Sequence, residues 1–99
     1  MTVNREQILK ILAARQGEIT ARFGVKRLAL FGSAARDELR ADSDVDILVE
    51  FTGPATFGGY FELKDYLEQV LGRPIDLVTE KGLKPRARPY VERDLIRVA

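Results

Sequence analysis

A chain of 99 residues with a net charge of +1 has room for one small domain, residues 1–99, and 45% hydrophobic against 31% charged residues excludes disordered, collagen-like and coiled-coil states. No apolar run approaches the ~18 residues of a membrane span, and Met1 to Arg5 carries no apolar signal stretch, so a cytoplasmic location is expected. Cysteine and histidine are both absent, which excludes disulfides, thiol nucleophiles, serine-histidine triads and histidine metal sites, and leaves magnesium, manganese or calcium as the metals that hard oxygen ligands would favour.

Asn4 with Gln7 three residues on forms a capping-box pattern, and Ile8, Leu9, Ile11, Leu12 and Ile19 recur at helical spacing until Gly24, predicting a single helix over that span. Lys26 to Phe31 is a short apolar run stopped by Gly32-Ser33 and reads as a buried strand. Ala34 to Leu39 is rich in helix formers, and Asp42-Ser43 reads as a turn. In Val45 to Phe51 every odd-numbered position is apolar, while Asp46 and Glu50 share the other parity with Asp44 just before them, predicting a strand with one core face. A helix from about Gly59 to Leu71 follows, with Tyr60, Leu63, Leu67, Val70 and Leu71 as its stripe and Gly72 and Pro74 as its stop. Ile75 to Thr79 is the third strand, and Pro89 to Arg97 is expected to form a last helix.

The expected architecture is therefore α/β, a small mixed three-stranded sheet with covering helices. Only about ten residues separate the first two strands, too few for a parallel crossover, so that pair is expected to be antiparallel.

Charge is unevenly spread. Asp37 to Glu50 holds six acids against Arg40 alone, and Glu80 to Ala99 holds six bases against three acids. The basic tail alternates with Glu92 and Asp94 and lacks an aromatic platform for bases, so it reads as a solvated face and general nucleic-acid binding is not expected. Tyr60, Phe61 and Tyr66 follow the helical stripe and are expected in the core or at a partner contact.

Ten residues separate Gly32-Ser33 from Asp44-Val45-Asp46, and Asp76 lies on the next strand. A glycine between strand and helix lets the backbone approach a phosphate, Ser33 adds a hydroxyl donor, and Arg36 one turn on adds a charged fork. Aspartates at i and i+2 project to one face of a strand with Cα atoms roughly 6.5 to 7 Å apart. With Asp76 from an adjacent strand they would form a carboxylate set able to hold two divalent ions about 3.5 to 4 Å apart, the clamp used for in-line phosphoryl displacement. Each piece alone is commonplace; their joint spacing carries the reading.

Gly32-Ser33-Ala34-Ala35-Arg36 and Ser43-Asp44-Val45-Asp46-Ile47-Leu48-Val49, with Ile75-Asp76-Leu77-Val78-Thr79 and Leu83-Lys84-Pro85-Arg86, resemble the polymerase-β-like nucleotidyltransferase superfamily, specifically its minimal nucleotidyltransferase (MNT, MntA-like) family. The resemblance spans nearly the whole chain. It implies that Gly32 and Ser33, with Arg36, hold the nucleotide phosphates, that Asp44 and Asp46 ligate Mg²⁺ (Mn²⁺ as a substitute), and that Asp76 is the third catalytic and metal-binding carboxylate. It also implies ATP as donor, a HEPN-domain ribonuclease toxin as partner in a hetero-oligomer, and transfer of AMP to a tyrosine of that toxin. The chain departs from the family at Asp37, where a glycine is usual, which bears on the turn and on Arg36.

Two other functions fit the same residues. One is a non-catalytic antitoxin that acts by stoichiometric binding, since so short a chain leaves no room for an acceptor-binding domain. The other is a small-molecule transferase subunit of the aminoglycoside-modifying kind.

Overall fold

In the computed structural model, which describes residues 4–53 and 57–98, the chain runs α1 (Arg5–Ala14), α2 (Gln16–Phe23), β1 (Val25–Phe31), α3 (Gly32–Ala35), β2 (Val45–Phe51), α4 (Phe57–Leu71), β3 (Ile75–Thr79), α5 (Arg88–Arg93) and β4 (Ile96–Arg97). The sheet order is β3-β2-β1-β4, with β2 and β3 parallel and the other two pairs antiparallel. The mixed sheet and the antiparallel β1–β2 hairpin are as the sequence predicts. The strand count is not: the described residues form four, because Ile96–Arg97, placed by the sequence in the last helix, leaves α5 after Arg93 and pairs with Leu30 and Ala29 of β1.

The capping box forms as expected: the Asn4 side chain accepts from the Gln7 N–H at 2.9 Å, and Gln7 accepts from the Asn4 N–H in return. The predicted first helix is two, broken at Arg15, and Gly24 in the left-handed conformation (φ +64°) ends the second.

One face of the sheet makes the core. Leu28 and Leu30 of β1, Val45, Ile47 and Val49 of β2, and Ile75 and Leu77 of β3 pack with Ile8 and Leu12 of α1, Ile19 of α2, and Leu63, Leu67 and Leu71 of α4. Alternation along each strand produces this face, and burying a side chain of this size contributes about 1.5–3 kcal/mol. Ala29 and Leu48, cross-strand partners on the opposite face, are buried outside this cluster, as is Val91 of α5.

The β3 edge is covered by α4. The Glu68 carboxylate accepts from the Ile75 N–H at 3.0 Å, and the Tyr60 hydroxyl donates to the Leu77 carbonyl. Tyr60 and Tyr66 are half-buried against the core, whereas Phe61, on the same helix, is 54% exposed.

Candidate active site

β1 ends at Phe31, which pairs across the hairpin with Asp46, and Asp46 pairs on its other side with Asp76 of β3. Three strands thus deliver the start of the Gly32 turn and two aspartates to one end of the sheet. The register follows from the alternation of Val45, Ile47 and Val49 with Ile75 and Leu77: once these fill the core, Asp46 and Asp76 must share the other face.

Gly32 holds φ +69°, a region that costs an L side chain about 1–2 kcal/mol. A Cβ built there would also run into the Asp46 carboxylate at Oδ2. Glycine is required twice over, by backbone conformation and by the carboxylate lying against it. α3 is a single turn ending at Ala35, shorter than the Ala34 to Leu39 helix the sequence predicts. A dipole from so short a helix is slight, so anion binding here would rest on the Gly32-Ser33 backbone and the Ser33 hydroxyl.

Asp37 follows in the left-handed region at φ +60°, the only such non-glycine among the described residues. The family resemblance leads to an expected glycine at this position, and Asp is among the few other residues that enter this region readily. Its carboxylate accepts from the Arg5 N–H at 3.0 Å, in the first turn of α1, while the Arg5 guanidinium donates to the Ala35 carbonyl at 3.1 Å. The substitution therefore keeps the turn and adds a tether to α1.

Asp46 is half-buried, whereas Asp44 and Asp76 are exposed. Burial, then the charge of Asp76, a carboxyl-carboxyl hydrogen bond with it and the charge of Asp44 push Asp46 up to about 6, with Arg36 opposing. Asp46 and Asp76 are thus brought together, with Asp44 close enough to be felt. Among the described residues no group of three acids is gathered tightly enough to form a ready metal cluster. The donor set, hard carboxylate oxygens only, fits Mg²⁺ or Mn²⁺, and the crowding of negative charge at Asp46 is what a divalent cation would relieve.

Arg36 is held by acids. Its Nη1 donates to Asp94 Oδ2 at 2.9 Å and its Nε lies 3.5 Å from Glu38. Sequence reasoning missed Asp94, which lies 58 residues from Arg36 and has no local signal. It also missed Arg73, between α4 and β3, whose Nη2 donates to the Ser43 carbonyl at 2.9 Å and to the Arg40 carbonyl. Together with the Val45 N–H donating to the Pro74 carbonyl at 3.0 Å, Arg73 fixes the approach to Asp44.

Comparison with known proteins identifies the family. The nucleotidyltransferase domain family matches residues 5–98. The protein adenylyltransferase MntA of Thermococcus cleftensis is 42% identical over 93 residues, covering 94% of both chains. A solved structure described as a candidate minimal nucleotidyltransferase is 44% identical, with TM-score 0.74, over 89% of this chain and 93% of that one. The fold also recurs, at 17% identity and TM-score 0.68, in a structure of a tri-AMPylated HEPN toxin of Shewanella oneidensis in complex with its MNT antitoxin, over 92% of this chain and 71% of that one. With the Gly-Ser turn, the paired aspartates and a match along almost its full length, the chain belongs to the nucleotidyltransferase family, in its minimal branch alongside MntA.

Proposed function

We propose that this nucleotidyltransferase is a metal-dependent protein adenylyltransferase, moving AMP from ATP onto a tyrosine hydroxyl of a partner HEPN ribonuclease toxin and so silencing it. The carrying observation is the register pair Asp46–Asp76 set against the Gly32 turn. Its relatives support the reading, one being a named protein adenylyltransferase and another an antitoxin complexed with an AMPylated HEPN toxin.

In this reading Gly32 and Ser33 receive the triphosphate through backbone N–H groups and the Ser33 hydroxyl, and Arg36 adds charge-assisted donors. Asp44, Asp46 and Asp76 would hold two Mg²⁺ ions, which when bound supply neutralisation of the α-phosphate and of the departing pyrophosphate. Asp76, on the exposed side of the pair, takes the proton from the acceptor hydroxyl. The tyrosine oxygen forms a bond to the α-phosphorus, the bond from that phosphorus to the bridging oxygen breaks, and pyrophosphate leaves. Catalysis is by positioning and electrostatics, with no covalent enzyme intermediate.

The test uses labelled ATP, Mg²⁺ and a HEPN ribonuclease toxin. Label is expected on a toxin tyrosine and to vanish with Asp44→Asn plus Asp46→Asn. Undiminished transfer by that double variant overturns the reading, and full neutralisation of the toxin without transfer replaces it with stoichiometric binding.

A further inference from the structure

The C-terminal segment reaches back to the phosphate turn. β4 pairs with Ala29 and Leu30, near the end of β1, and the Val98 N–H donates to the Leu28 carbonyl at 2.8 Å. Val91 of α5 is buried, so the segment is anchored on both sides of Asp94. Asp94 is therefore fixed by its neighbours, and its side chain is only 16% exposed. Its Oδ2 lies 2.9 Å from Arg36 Nη1, the shorter of the two ion pairs that Arg36 makes; the second, to Glu38 at 3.5 Å, involves a carboxylate 64% exposed.

Arg36 itself is the cap residue of α3, four positions after Gly32, and its charge is felt at Asp46. A guanidinium at the end of a one-turn helix has several rotatable bonds and would sample many positions if only a solvent-exposed acid held it. A half-buried carboxylate on an anchored segment selects one of them. The hydrogen bond to Asp94 uses one nitrogen of a planar fork that carries five N–H donors, so holding it does not exhaust the group.

We propose that Asp94 is a positioning residue for nucleotide binding: it orients the Arg36 guanidinium toward the triphosphate, making the α5–β4 segment a working part of the site. This rests on the reading of Arg36 as a phosphate ligand. It also gives the C-terminal segment a task beyond closing the sheet, because the segment presents a well-shielded acid in direct contact with Arg36.

The test is steady-state AMP transfer to the HEPN partner together with direct titration of ATP and Mg²⁺ binding, for Asp94→Asn, Asp94→Glu, Arg36→Ala and the Asp94→Asn/Arg36→Ala pair. Asp94→Asn is expected to raise KM for ATP about tenfold with kcat changed less than about twofold, and Asp94→Glu to recover part of the loss. In the Arg36→Ala background Asp94→Asn is expected to add nothing further. Additive losses, a fall confined to kcat, or unchanged KM in Asp94→Asn would overturn the proposal. Thermal melting of each variant separates loss of fold from loss of binding: a variant that melts like the parent but shows the KM shift supports positioning, and Asp94→Asn losses that track melting temperature, with Asp94→Glu giving no recovery, count against it. If the parent neither binds ATP nor transfers AMP, the functional reading fails instead; if the parent is active and Arg36→Ala is as well, it is the role of Arg36, and with it this proposal, that falls.

Discussion

Asp46 and Asp76 stand opposite one another at a single register position of the parallel β2–β3 pair, so two acids that repel are held together by the packing of their apolar neighbours. That arrangement makes the cation-free protein sensitive to pH. Asp46 titrates at about 6 in the folded chain, pushed up from 3.8 by burial first and by Asp76 next. A raised carboxyl pKa means the folded state holds this proton more tightly than the unfolded chain does. Its contribution to stability is full below about pH 4 and is lost as pH rises through about 6. Asp46→Asn is thus expected to stabilise the protein in EDTA at pH 8 by about 1–2 kcal/mol after allowance for solvent screening, and by much less at pH 4. Urea unfolding at the two pH values checks this; an equal gain at both refutes it.

Gly32 predicts a different outcome. Gly32→Ala meets both the left-handed backbone and the Asp46 carboxylate. A loss of about 1–3 kcal/mol is expected, with AMP transfer falling at least about a hundredfold because the Gly32 turn and Asp46 shift together. Melting and initial rates on one preparation measure both.

Asp37 links the same turn to α1. Asp37→Ala removes the acceptor of the Arg5 N–H and puts at φ +60° a residue that tolerates the left-handed region less well than Asp, so it is expected to cost about 1–3 kcal/mol. Asp37→Gly loses the acceptor but relieves the backbone, and should lie within about 1 kcal/mol of the parent. Chemical denaturation of the two variants side by side decides; equal losses would show that the left-handed backbone carries no weight.

Arg73→Lys tests the approach to Asp44. A lysine keeps the charge, but its shorter side chain does not bring its ammonium to where Arg73 Nη2, the single nitrogen that donates to both the Ser43 and the Arg40 carbonyls, sits. Stability is expected to fall by about 1–2 kcal/mol, and amide exchange at residues 40–44 to accelerate, which exchange measurements resolve residue by residue.

Strands were the most legible part of this chain. Alternation at Val45, Ile47 and Val49 declared the core face, and it follows that Asp46 lies on the other one, with Asp76 as its neighbour. The short span between β1 and β2 was enough to set their antiparallel sense. Other features leave little trace in sequence. A two-residue strand such as Ile96–Arg97 has no period to detect, and the break at Arg15 falls two residues before Gly17, inside an unbroken helical spacing of apolar residues. The Asp94–Arg36 pair joins positions 58 residues apart, and the Arg73 bonds end on backbone carbonyls, which any sequence supplies. Local pattern reports burial and direction; contacts made across the fold by long polar side chains do not repeat and so do not show.

Tyr60 and Glu68 occupy outward-facing main-chain groups of β3, at Leu77 and Ile75, and the opposite border of the sheet is a strand only two residues long. Neither border is a free template on which a foreign strand can lengthen the ladder. A strand approaching the β3 border meets the side chains of α4 first, which disfavours recognition by strand addition there and works against edge-to-edge stacking of a small, sheet-centred molecule.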